Sequence, residues 1–266
     1  MLQKRVITSI LLLGGLFLVL WANNFFPAFT IAAAICALLG GWEFYRMVNA
    51  SGKGRPALWL GLALILCFVI APLLNWYNSS GVLISIAVTL PLLWIMLRRD
   101  RKDACVSWAF TLAGVMYLGW LASRYTALIQ IDDGSKWVIL ALFCTFASDT
   151  TAYFVGRRFG RHKLAPAVSP HKTWEGAAGG LLGTIAIGAL SAWVLNLPLS
   201  LWQAISLSAV ASIFAQAGDL VESLFKRNMG AKDSGRALPG HGGILDRVDS
   251  IVFAGLVIYY YVIWLT

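Results

Sequence analysis

The chain has few charged side chains for its length of 266 residues. Asp, Glu, Lys and Arg make up 12% of the sequence, while hydrophobic residues make up 59%. An average soluble domain has about 25% charged residues, so a soluble fold is excluded. The apolar runs are long and do not alternate with polar residues, which favours membrane-spanning helices over a barrel.

Several common site chemistries are also missing. The four cysteines include no CxxC pair, so the sequence supports neither a zinc site nor a disulfide framework. His162 and His171 show no metal-ligand spacing. The Walker A pattern GxxxxGK[ST] is absent, which excludes a P-loop. Any phosphate chemistry must therefore use another kind of site.

The apolar runs predict an all-α polytopic membrane protein with about nine transmembrane helices. A signal peptide is the alternative for the first run, but no small-x-small cleavage site follows it, so we interpret it as a retained helix. The predicted spans are residues 6–22, 27–48, 57–77, 81–97, 104–123, 137–156, 174–195, 201–221 and 249–265.

The basic residues test this helix count. With a cytoplasmic N-terminus and strict alternation, 19 of the 21 Lys and Arg residues fall on the cytoplasmic side. The positive-inside rule therefore favours nine helices with the C-terminus outside. The net charge of +9 becomes a one-sided basic face, which suits anionic lipids and solutes. We predict an N-terminal region, 1–128, of about five spans and a catalytic region, 129–266, with cytoplasmic loops 157–173 and 222–248.

Acidic residues cluster at the ends of the last two predicted spans. Asp219 and Glu222 are three residues apart, as are Asp246 and Asp249, so each pair would share a helix face. Asp149 lies inside the sixth span. Buried carboxylates are costly and usually functional or paired, and helix-to-helix ion pairs are the alternative. Clustered carboxylates without histidine or cysteine favour Mg²⁺.

A glycine-rich basic segment, "KRNMGAKDSGRALPGHGG", connects the two acidic pairs. Its cations and flexible backbone suit phosphate groups. The preceding inner loop contains "SPHKTWEG", which could bind an anion at a helix N-terminus or simply cap that helix. The glycines of the seventh span, "WEGAAGGLLGTIAIGALSAW", predict close helix packing.

The segment from Ser223 to Asp249 resembles a family signature. Its pattern is S-x-F-K-R, four residues, K-D-x-G, then H-G-G-x-x-D-R-x-D, over 27 residues. This is similar to the signature of the phosphatidate cytidylyltransferases, or CDP-diacylglycerol synthases, of the bacterial integral-membrane type. The segments "SDTTAYFVGRRFG" and "SPHKTWEG" resemble further motifs of that family.

The resemblance implies transfer of CMP from CTP to phosphatidic acid, giving CDP-diacylglycerol and pyrophosphate. It also implies Mg²⁺, a second cation such as K⁺ and a homodimer. We expect no nucleic-acid partner, and the basic loops place the expected active site on the cytoplasmic face of the inner membrane. A CTP-dependent lipid kinase and an ion-coupled transporter are the alternatives.

The candidate residues follow from the charge clusters and the resemblance together. As metal ligands we predict Asp219 and Asp246, with Asp149 and Asp249 next. The candidate catalytic residues are Asp219, Lys226, His241, Asp246 and Asp249. The candidate substrate-binding residues are Ser169, Lys172, Thr173, Ser223, Arg227, Lys232, Asp233, Arg236, Gly242, Gly243 and Arg247.

Overall fold

A computed structural model of the chain describes residues 14–15, 18–25, 27–74, 80–98, 103–235 and 243–265. The elements in chain order are α1 (Ala28–Ser51), α2 (Leu58–Ile70), α3 (Ser80–Met96), α4 (Ala104–Gly114), a π-helical segment (Val115–Trp120), α5 (Leu121–Leu128), α6 (Gly134–Phe159), β1 (Lys163–Ala165), β2 (Ser169–Thr173), α7 (Trp174–Val194), α8 (Leu201–Asn228) and α9 (Leu245–Leu265).

The predicted all-α polytopic fold is confirmed. Among the described residues, six continuous helices are long and apolar enough to span a membrane, and α4 to α5 counts as one of them. The helices α2 and α3 are apolar but shorter. These eight helices coincide with eight of the nine predicted spans, and the first predicted span, 6–22, lies mostly outside the described residues.

The eighth predicted span and the corresponding helix, α8, end at different residues. The eighth span was expected to end at residue 221, but α8 continues to Asn228. The ion pair between Glu222 and Lys226 supports this extension because its members are one helical turn apart. Lys226 and Arg227 also lie in the last turn, where the helix dipole favours cations. Part of the predicted loop 222–248 is therefore helical.

The chain forms two compact units. Unit 1 contains residues Met1–Gln130 and Met229–Asp246, and unit 2 contains Ile131–Asn228 and Arg247–Thr266. From the sequence we predicted a boundary between residues 128 and 129, with all of 229–246 in the C-terminal region. That segment belongs to unit 1.

The core of unit 1 is organised around Tyr45 of α1. Its ring is fully buried, and its hydroxyl donates a 2.8 Å hydrogen bond to the carbonyl oxygen of Thr111. A Cβ at Gly61 of α2 would lie 2.6 Å from Tyr45 Cζ, and so would one at Gly114 of α4. Both positions must be glycine because the tyrosine ring fills the space that a side chain would need.

Unit 2 contains the glycine-rich helix α7, which packs against α6 and α8. A Cβ at Gly179 would lie 2.8 Å from Val155 Cγ1 of α6, and one at Gly188 would lie 2.8 Å from Ser208 Cβ of α8. The prediction that these glycines permit close helix packing is confirmed. Such small-residue contacts let helices associate in lipid, where burial of apolar surface gives little driving force.

Large apolar side chains remain exposed along the outer faces of the helices. Trp59, Leu182, Trp193 and Trp264 are each more than 60% exposed, at 74%, 67%, 77% and 82%. An apolar exterior of this kind would be a liability in water but is suited to contact with lipid chains.

Candidate active site

Three carboxylates meet in unit 2. Asp219 and Glu222 come from one face of α8, and Asp249 comes from the second turn of α9. One carboxylate oxygen from each residue lies within 4.8 Å of the others. Glu222 and Asp249 are buried, while Asp219 is partly exposed.

The close approach of α9 to α8 depends on the residue before Asp219. A Cβ at Gly218 would lie 2.6 Å from the carbonyl oxygen of Asp249, which is closer than a real Cβ can come. Glycine therefore lets the backbone of α9 lie against α8 at the height of the carboxylates. In the local sequence "AGD", Gly218 thus permits the helix contact and Asp219 contributes a carboxylate to the site.

Two lysines partly neutralise this cluster. Lys226 Nζ lies 2.5 Å from Glu222 Oε2, and Lys172 Nζ lies 2.7 Å from Asp219 Oδ2. Three carboxylates against two ammonium groups leave an excess of negative charge if all are ionised. Repulsion between close carboxylates is relieved by a cation. The all-oxygen donor set therefore fits a hard ion such as Mg²⁺.

Lys172 is held by a two-stranded antiparallel hairpin. Strands β1 and β2 pair Lys163 with Thr173 and Ala165 with Ser169. Glu175, in the first turn of α7, accepts hydrogen bonds from the backbone N–H groups of Arg161 and His162. These contacts fix the hairpin on the N-terminus of α7, so the position of Lys172 is set by folded backbone rather than by a mobile loop.

Thr173 ends the hairpin and caps α7. Its Oγ1 accepts a 3.1 Å hydrogen bond from the backbone N–H of Gly176, which supports the capping alternative for "SPHKTWEG". We expect Thr173→Val to lower the stability of the protein by about 1 kcal/mol, because one N–H of the first turn loses its partner.

Thermal unfolding in detergent measures this effect, and Thr150→Val, at an exposed position of α6, is the control. A loss of turnover far beyond the loss of stability would assign Thr173 to substrate binding as well. Equal unfolding temperatures for the two variants would contradict the capping role.

A cavity of about 450 Å³ adjoins this part of unit 2. That volume is within the usual range for small-ligand sites. Its lining includes four polar residues that were not predicted for the site from the sequence: Tyr153, Arg157, His171 and Gln216. Tyr153 and Arg157 lie in the quoted segment "SDTTAYFVGRRFG", so the motif contained the signal for them. The predicted residues Asp149, Lys172, Thr173 and Asp219 also line the cavity.

Other predicted residues of unit 2 surround the same helices. Ser223 Oγ donates a long hydrogen bond of 3.4 Å to Asp219 Oδ1. Arg227 Nε donates to the carbonyl oxygen of Val168, which follows β1. Arg247 is exposed in the first turn of α9. Ser169 opens β2.

The predicted residues of segment 229–246 belong to unit 1. Lys232 and Asp233 are exposed. Asp246 Oδ2 accepts hydrogen bonds from the backbone N–H groups of Gly243 at 2.9 Å and Ser234 at 3.3 Å. Three predicted residues, Arg236, His241 and Gly242, lie outside the described residues.

One buried residue beside this segment was not among the predicted site residues. Glu43 of α1 is buried beside Ser234 and Leu245. An acidic residue inside a predicted span is the signal that drew attention to Asp149 and Asp219. The same signal is present in "GGWEFYR" and was overlooked.

Comparison with known proteins agrees with the motif. Residues 3–265 match the model of the cytidylyltransferase family. A phosphatidate cytidylyltransferase of Staphylococcus haemolyticus (strain JCSC1435) is 35% identical over 248 residues, which cover 93% of this chain and 90% of that protein. A protein of the same name from Staphylococcus epidermidis (strain ATCC 12228 / FDA PCI 1200) is also 35% identical, and one from Staphylococcus aureus (strain COL) is 33% identical, with the same coverage.

The resemblance seen in the sequence is thereby confirmed. The match extends well beyond the 27-residue signature and includes the N-terminal helices, for which the sequence offered only generic apolar runs. The cavity, the acidic cluster and its two lysines are consistent with an enzyme that binds the phosphate groups of its substrates. This chain therefore belongs to the cytidylyltransferase family of nucleotidyltransferase enzymes.

Proposed function

We propose that this protein transfers CMP from CTP to phosphatidic acid, forming CDP-diacylglycerol and pyrophosphate. The observation that carries the proposal is the cluster of Asp219, Glu222 and Asp249 with Lys172 and Lys226 paired to it. The names of the relatives give phosphatidate as the acceptor and the cytidylyl group as the group transferred. The apolar exterior supports a substrate that remains in the bilayer.

The reaction needs positioning and charge neutralisation rather than an activated side chain. An oxygen of the phosphatidate phosphate attacks the α-phosphorus of CTP, and a new P–O bond forms. The bond from the α-phosphorus to the bridging oxygen breaks, and pyrophosphate leaves with the electron pair. The nucleophile is already an anion, so no general base is required.

Two lysines are suited to hold the phosphates. Lys172 lines the 450 Å³ cavity and is paired with Asp219. Lys226 is paired with the buried Glu222. Because each ammonium is already held by a carboxylate, it is oriented before substrate arrives, and this lowers the cost of ordering it. Arg157 and His171 line the same cavity and provide further donors.

Mg²⁺ is the proposed cofactor. Asp219, Glu222 and Asp249 would hold it, and when bound it would offset charge on the triphosphate oxygens. The sequence signature also assigns Asp246 to metal binding. We also propose a second cation such as K⁺ and a homodimer, and both rest on the sequence resemblance alone.

The proposed location is the bacterial inner membrane, with the site facing the cytoplasm. The support is the basic bias of the predicted inner loops, which holds 19 of 21 Lys and Arg residues. The helical extension that carries Lys226 and Arg227 lies on that predicted side. Phosphatidic acid could then enter laterally from the inner leaflet, while CTP arrives from the cytoplasm.

Doubly labelled CTP tests the reaction. The assay contains purified protein in detergent, phosphatidic acid and Mg²⁺. We expect the cytidine and α-phosphate label to be recovered in the lipid. The γ-phosphate label should leave as pyrophosphate. Incorporation of the γ-phosphate into lipid would instead indicate a lipid kinase. Substitution of ATP, GTP or UTP for CTP should give little product.

Proteoliposomes without nucleotide provide the control for the transporter alternative. A nucleotide-independent ion or solute flux together with no lipid labelling would overturn the proposal. Omission of phosphatidic acid should abolish release of pyrophosphate, because the phosphate nucleophile is then missing. Persistent release would show that the protein hydrolyses CTP rather than transfers CMP.

A further inference from the structure

Glu43 places a carboxylate in the interior of unit 1. The residue is 7% exposed, and its Oε2 accepts hydrogen bonds from Ser234 Oγ at 3.1 Å and from the backbone N–H of Leu245 at 2.9 Å. Within the described part of the chain, its Oε1 has no hydrogen-bond partner. A buried, half-satisfied carboxylate costs stability. Its presence therefore indicates a role other than packing.

Two glycines of the signature leave room for this carboxylate. A Cβ at Gly235 would lie 2.6 Å from Glu43 Cδ, and one at Gly243 would lie 2.9 Å from the same atom. Neither position has the positive φ that would by itself require glycine. These residues are glycine because the Glu43 side chain occupies the adjacent space.

Ser234 connects Glu43 to Asp246. Its hydroxyl donates to Glu43 Oε2, while its backbone N–H donates to Asp246 Oδ2. Asp246 Oδ2 accepts a second hydrogen bond from the N–H of Gly243. Glu43 also accepts from Leu245, the residue immediately before Asp246 and the first of α9. Glu43 thus holds two residues that precede the predicted metal ligand, Leu245 through its backbone N–H and Ser234 through its hydroxyl.

We propose that Glu43 is a positioning residue that orients Asp246 by holding the described parts, residues 229–235 and 243–246, of the signature loop (Met229–Asp246) in unit 1. This inference rests on the proposed function, in which Asp246 is a metal ligand. A carboxylate whose one oxygen is held by two N–H groups presents its other oxygen in a defined direction. Loss of a residue that orients a metal ligand typically lowers metal affinity or activity by about 10- to 100-fold.

Three substitutions test the role of Glu43. Glu43→Ala removes the acceptor, and we expect kcat/KM to fall by about 10- to 100-fold, with a matching rise in the Mg²⁺ concentration for half-maximal activity. Glu43→Gln keeps an acceptor oxygen for Ser234 and Leu245, so it should stay within a few-fold of wild type. Thr30→Ala, at a buried position of α1 away from the loop, is the packing control and should leave both quantities unchanged.

Two results would overturn the proposal. A Glu43→Ala enzyme with wild-type Mg²⁺ dependence would show that Glu43 does not act through the metal ligand. A Glu43→Gln enzyme as impaired as Glu43→Ala would show that the charge, not the hydrogen bonding, is required. If Glu43→Ala does not fold, Ser234→Ala replaces it, since it removes the hydroxyl but keeps the N–H bonded to Asp246. Its kcat/KM should fall about fivefold, and no change would contradict the proposal.

Hydrogen–deuterium exchange separates this inference from the reaction itself. In peptides covering residues 229–235 and 243–249, we expect exchange to be faster in Glu43→Ala than in wild type. Thr30→Ala should exchange like wild type. Unchanged exchange in Glu43→Ala would refute the positioning role even in an active enzyme. Failure of the wild-type protein to label lipid would refute the proposed function, whatever the exchange result.

Discussion

Asp219→Asn is expected to lower CMP transfer by about 10²- to 10³-fold, the usual range for removing one preorganised electrostatic group from an active site. The substitution keeps the side-chain volume and removes one charge from the cluster with Glu222 and Asp249. It also removes the charge paired with Lys172. Turnover at saturating CTP, measured as labelled CMP in lipid over a range of Mg²⁺ concentrations, checks this result.

Asp133→Asn is the matched control for that experiment. Asp133 forms a 2.9 Å ion pair with Lys136 at the start of α6, and both side chains are at least one-third exposed. Exposed pairs of this kind contribute little to stability, so turnover should remain at the wild-type level. Near-normal turnover of Asp219→Asn, with the protein folded, would remove Asp219 from the metal site.

Gly183→Val is expected to cause the largest loss of stability among the substitutions considered. A Cβ at Gly183 of α7 would lie 2.7 Å from Thr151 Cβ of α6, so the two helices would have to move apart. Overpacking of this kind costs about 1–3 kcal/mol. The amount of monodisperse protein that survives heating in detergent, followed by size-exclusion chromatography, measures the effect.

Gly81→Val separates packing from helix propensity. Gly81 also lies in a helix, α3, but a Cβ there would have no neighbour within 4 Å. Valine is at least as good a helix former as glycine, so this variant should survive heating as well as wild type. Equal losses for the two variants would show that helix propensity, not the contact between α6 and α7, sets the outcome at Gly183.

The sequence predicted most helices because lipid imposes a simple pattern on them. Long apolar runs and the alternation of basic loops were enough to place eight spans that coincide with helices of the structure. The end of α8 was missed because hydropathy marks the apolar part of a helix, whereas hydrogen bonding continues to Asn228. The π-helical segment Val115–Trp120 has no composition that would reveal it.

The site was only partly accessible from sequence for a different reason. Asp219 and Glu222 share a helix face by spacing alone, and Asp249 follows the same logic on the next helix. The contact from Lys172 to Asp219 depends on a hairpin without an alternating pattern, although Pro166 at the second position of its Ala165–Val168 turn is a local signal for that turn. The contacts from Glu43 to Ser234 and Leu245 join residues about 200 positions apart, and no local rule predicts them.

The division of the chain has a consequence for protein engineering. Because Met229–Asp246 is part of unit 1 although it is enclosed in sequence by unit 2, no single cut separates the units. A chimera of two relatives joined at residue 130 would combine α1 of one parent with the signature loop of the other. Glu43 and Ser234 would then come from different parents, and their fit would decide whether such hybrids work. Exchanging residues 1–130 and 229–246 together is the swap that preserves this contact.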